Sequence, residues 1–112
     1  MQATPATSAL TTLAVLEVTV QPDHEDQMVD FLMGRLPGIR FSRYQINLHG
    51  QPEAGLSLRE QVLGSTRRSV FSVQAESALL MELAADLQQG AVAFPLQYRV
   101  LPLLQAGEYL PR

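Results

Sequence analysis

The apolar residues of this chain change period along its length. They recur every second residue, then at about 3.6, and the whole order is strand, helix, strand, strand, helix, strand. Leu13–Val20 opens the series. Leu16, Val18 and Val20 fall on one face and Leu13, Val15, Glu17 and Thr19 on the other. Both faces are partly apolar, which suits a central strand. Pro22-Asp23 then opens a helix, with Asp23 as its cap and Glu25 and Asp26 near the positive end of the dipole. Met28, Val29, Leu32, Met33 and Leu36 form its apolar stripe, with Phe31 a flank of the core. Pro37-Gly38 stops it. Phe41–His49 alternates as the second strand: Tyr44, Ile46 and Leu48 against Arg43, Gln45, Asn47 and His49. Thr66–Ala75 is the third, with Phe71 and Val73 opposed to Val70 and Ser72. Ser77–Gln89 carries a helical stripe of Leu80, Leu83, Ala84 and Leu87, and Gly90 suits the position after its end. Pro95–Leu104 is the last strand. Pro102 cannot donate a ladder hydrogen bond, so this strand belongs at an edge.

The order β-α-β-β-α-β implies an α+β, ferredoxin-like fold with an antiparallel sheet. Right-handed crossovers place both helices on one sheet face, with the first and third strands central and the second and fourth at the edges. Residues 1–12 lack periodicity and read as a flexible tail, and 13–112 as one folded domain. The face without helices then carries Leu13, Val15 and Val70. Burying each contributes about 1.5–3 kcal/mol, so further copies of the chain are expected to cover that face. The segment from Gly107 reads as a tail that crosses to a neighbour.

Composition narrows the function. The chain has 112 residues, a net charge of −3 and no cysteine, so disulfides, thiol nucleophiles and thiolate metal sites are excluded. The charge speaks against a nucleic-acid partner. Every basic side chain apart from the two His is Arg. No apolar run reaches the ~18 residues of a membrane span, and the start lacks a signal peptide's basic region. A cytoplasmic protein is expected.

Chemistry concentrates in Ser42–Val73. The connection between the second and third strands, punctuated by Gly50, Pro52, Gly55 and Gly64, is far longer than the usual hairpin loop of about 2–5 residues. Over-long loops on a rigid sheet are common places for binding. Leu56–Leu63 within it suits a helical turn, with Ser57 and Glu60 spaced as a capping box. Arg43, Arg59, Arg67 and Arg68 gather here, and guanidinium forks match carboxylates and phosphates. Two readings stand: an anion or nucleotide pocket between subunits, or ion pairs across a subunit boundary to Glu53, Glu60 or Glu108. Structural ion pairs use the same residues, which favours the second. His49 is either a ligand contact or a surface residue. His24, in Asp-His-Glu-Asp, either attracts a divalent ion or belongs to an acidic helix start. No nucleophile elbow, phosphate-binding glycine loop or dinucleotide motif is present, so no catalytic residue is assigned and a non-enzyme is expected.

Over Leu13–Glu108 the chain resembles the trimeric PII-like proteins, which include nitrogen-regulatory PII and the divalent-cation-tolerance CutA proteins. The element order, His49-Gly50 and the long connection carry the resemblance. It is most similar to an uncharacterised PII-like family of small bacterial proteins with a pattern matched here by Ser42, Arg43, His49, Gly50, Leu56, Ser57, Glu60, Gln61, Val62, Gly64, Arg67 and Arg68. Members of that family are often encoded beside heavy-metal efflux systems. The resemblance implies a homotrimer and a non-enzymatic regulatory protein. Its strand 2–3 loop would engage a small anionic ligand or a protein partner, such as a membrane transporter. Arg43, His49, Gly50, Arg59, Glu60, Gln61, Arg67 and Arg68 are the implied binding residues. The lysine-rich phosphate contacts of PII have no counterpart. The alternatives are direct divalent-metal binding of the CutA type, and a small enzyme with an intersubunit cleft.

Overall fold

The computed structural model describes residues 12–50 and 65–111. The expected flexible tail, the capping box at Ser57 and the loop tip lie outside these residues. β1 (Leu13–Val20) leads through a 3-10 turn (Pro22–His24) into α1 (Glu25–Arg35). β2 (Phe41–Leu48), β3 (Thr66–Glu76), α2 (Ser77–Gln88) and β4 (Leu96–Pro102) follow. The sheet order is β2-β3-β1-β4 and every pairing is antiparallel. This is the ferredoxin-like α+β arrangement, with β1 and β3 central.

Both helices pack on one face. Ala14, Leu16, Val18 and Val20 of β1 and Phe71 and Val73 of β3 meet Met28, Leu32 and Leu36 from the first helical region and Leu80, Leu83 and Leu87 from α2. Gly90, at φ +91°, follows α2 in the left-handed region that a glycine adopts without strain.

Several local expectations shift. Asp23 is no cap: Pro22 starts a tight turn in which His24 N–H bonds Gln21 O at 3.0 Å, and α1 begins two residues later without a side-chain cap. Met33 leaves the stripe and is 63% exposed, because the buried row is narrower: Met28 and Leu32 of α1, and Leu36 just past its end. Phe31, as expected, flanks the core and lies under the Arg35 guanidinium. His49 lies just beyond β2, where Gly50 turns the chain at φ +83°.

The register settles the orientation of β2. Phe41 pairs with Val73 and Arg43 with Phe71, on the helix side. Tyr44, Ile46 and Leu48 therefore stand on the helix-free face, opposite Val70, Arg68 and Thr66. The apolar side of the edge strand points away from the core. That face carries an apolar band which nothing among the described residues explains.

Candidate functional site

Two adjoining depressions lie at the Leu48 end of the helix-free face. The larger encloses about 480 Å³. Tyr44, Ile46 and Leu48 form its apolar wall, and Glu17 and Arg99 a charged one. The smaller, about 300 Å³, shares Thr19, Leu48 and Gln97 with it and adds Arg68 and Gln21. Their walls come mainly from the antiparallel strands, with Gln21 just beyond β1.

Three residues that the sequence reading did not single out make the polar centre of this surface. Glu17 faces Arg99 across the β1–β4 ladder. Arg99 Nε donates to Glu17 Oε1 at 2.7 Å, and Tyr44 O–H donates to Glu17 Oε2 at 3.3 Å. Partial burial pushes the Tyr44 phenol above its usual value, and the Glu17 carboxylate reinforces this by charge and hydrogen bond, while Arg99 works the other way. A raised folded value adds stability below the unfolded tyrosine pKa of about 10, lost as pH rises through the folded value. Tyr44→Phe is expected to flatten that alkaline loss in thermal melts taken across pH 9–12.

Within one chain, the implied binding residues that lie among the described residues do not meet at one point. Arg43 is on the helix side, where Nη1 donates to Glu25 Oε1 at 3.0 Å. The same Glu25 carboxylate accepts from the buried Ser69 hydroxyl. The partner of Arg43 is thus a carboxylate of its own chain's α1. Glu25→Ala strands the Ser69 hydroxyl, and a loss of about 1–3 kcal/mol is expected in urea denaturation. Arg67 is exposed on the helix side as well, whereas Arg68 is half-buried on the helix-free face. Arg68 Nη1 donates to the Arg67 carbonyl at 2.6 Å and has no carboxylate partner among the described residues. Thr66, two residues earlier on the same face, is fully buried, and its hydroxyl has no partner among the described residues. His49 and Gly50 are exposed at the mouth of the connection. Arg59, Glu60 and Gln61 lie outside the described residues.

His24 Nδ1–H donates to Gln27 Oε1 at 3.0 Å, and its ring stacks on Phe94 with centroids 4.7 Å apart. Among the described residues no group of three or more His, Asp or Glu side chains is placed to hold a metal ion.

The family model for proteins of unknown function designated DUF3240 matches residues 10–110. The chain belongs to the DUF3240 family. No curated protein matches it. Among solved structures, a DUF3240 family protein from Shewanella baltica is 22% identical, with 90% of this chain and 100% of that one covered and a TM-score of 0.66. CPII, a nitrogen regulatory PII-like protein from Thiomonas intermedia K12 bound to ADP, AMP and bicarbonate, is 17% identical over 88% and 97% of the two chains, at TM-score 0.58. CutA1 from Oryza sativa is 11% identical over 86% and 84%, at 0.60. This DUF3240 chain therefore shares the fold of the PII-like and CutA proteins. None of its described helices is long and apolar enough to cross a membrane.

Proposed function

We propose that this DUF3240 protein is a non-enzymatic, PII-like regulatory protein. It works as a closed homotrimer, binds a small anionic ligand on its helix-free sheet face, and engages a protein partner through the β2–β3 connection. One observation carries the reading: the edge strand turns its apolar side chains, Tyr44, Ile46 and Leu48, to the helix-free face, around Arg68. An apolar band of this kind is stable in water when other copies cover it. Arg68 then sits at the margin of a cleft, next to a buried hydroxyl, and a guanidinium with no carboxylate partner among the described residues suits phosphate or carboxylate. The ligands bound by CPII, which are ADP, AMP and bicarbonate, are the anions to try first.

Calorimetric titration with each of these anions tests the ligand. Saturable binding by the wild type and a loss of at least about tenfold in Arg68→Ala are expected, about 1.4 kcal/mol or more for a charged hydrogen bond. The absence of binding by all three contradicts the ligand. A membrane transport protein is the partner class that the family resemblance suggests. Removing Gln51–Gly55 should abolish partner capture while sparing assembly.

A further inference from the structure

The C-terminal segment leaves the fold as an arm. Leu103 N–H bonds Leu13 O at 3.2 Å, and beyond it no backbone hydrogen bond ties residues 104–111 to the described residues. Yet this arm is apolar. Leu104 is fully exposed, Tyr109 84% and Leu110 74%. Glu108 precedes the pair and makes no ion pair among the described residues.

At the same end of the sheet, across its width, lies a hollow of about 320 Å³ between the end of α1 and the start of β2. Met33, Leu36, Ile39 and Phe41 line it and Arg40 stands at its rim. The hollow explains the otherwise wasteful exposure of Met33. Arg40, too, has no carboxylate partner among the described residues. The arm starts from β4 and the hollow adjoins β2, which are opposite edges, about 14 Å apart at three strand spacings. None of residues 104–111 lines the hollow.

We infer that the Glu108–Leu110 segment of one copy docks in the Met33–Phe41 hollow of the next, Tyr109 filling the hollow and Glu108 meeting Arg40. The fit is apolar at the centre and opposite in charge at the rim, the usual anatomy of a contact between proteins. It joins two different surfaces, so it is heterologous. Each copy gives one arm and receives one, and such contacts form a ring when the rotation between copies closes. The inference rests on the proposed association of copies and specifies which surfaces lock it.

The chain has no cysteine, so engineered thiols report cleanly. Arg40→Cys and Glu108→Cys chains are mixed, allowed to exchange and mildly oxidised. A disulfide-linked heterodimer is expected, and none when Glu82→Cys replaces Glu108→Cys. Arg40→Glu should weaken assembly, and Arg40→Glu with Glu108→Arg should restore it. If light scattering shows an intact oligomer but the mixed chains do not link, the arm contact is overturned while association stands. Internal disulfide closure in one chain carrying both Arg40→Cys and Glu108→Cys, with no link in the mixture, overturns it likewise. A monomeric wild type overturns both.

Discussion

Val15→Glu is expected to yield a folded monomer. Val15 lies on central β1, on the helix-free face, between Gln74 of β3 and Leu101 of β4. Its neighbours along the strand on that face are Leu13 and Glu17. In the single chain a carboxylate there meets water and costs little. Between copies it would be desolvated beside Glu17 without a new cation. Burying an unpaired charge costs several kcal/mol, and each 1.4 kcal/mol is a tenfold change in the dissociation constant. Assembly should weaken by at least about a hundredfold. Light scattering reads the mass and far-ultraviolet circular dichroism the fold. Loss of both together would mean that Val15 serves the core of the single chain instead.

Phe71→Ala should do the opposite and strike the fold itself. Phe71 is the largest fully buried side chain, on the helix side of β3, with its ring 6.2 Å from that of Phe41. Phe→Ala in a core costs about 3–5 kcal/mol, because the transfer energy is lost and a cavity remains. Total stabilities are typically about 5–15 kcal/mol, so a large part would go. The urea midpoint should fall sharply, with the slope unchanged. The two substitutions probe opposite faces of neighbouring strands. Their contrast distinguishes a sheet with one covered face from one with two.

Much of this fold is legible in the sequence because each element carries its own period. The alternation of Leu13–Val20 gives β1 its bounds, and the rows Leu80, Leu83, Ala84 and Leu87 give α2 its buried face. Pro102 marks the end of an edge strand as expected. Local period does not, however, say which face of β2 meets the core. That depends on its register with β3, where Phe41 meets Val73 and Arg43 meets Phe71. Met33 was misread for a related reason: a helical stripe of five residues is wider than the row that α1 buries against the sheet.

The candidate surface was harder to read. Arg68 was visible as part of an arginine-rich segment. Glu17, Tyr44 and Arg99 were not, since they stand on three different strands and meet only through cross-strand pairing. Glu17 did carry a signal, as a carboxylate in the middle of an otherwise apolar central strand. Likewise Arg43 and Arg68 are close in the hairpin yet point to opposite faces, a consequence of strand parity over the long connection.

The mass of the wild-type protein in solution tests the covered face most directly. Three chains of 12.3 kDa make about 37 kDa, and light scattering across a dilution series should return that value for the wild type and 12.3 kDa for Val15→Glu. A wild type that scatters as a 12.3 kDa monomer throughout would contradict it.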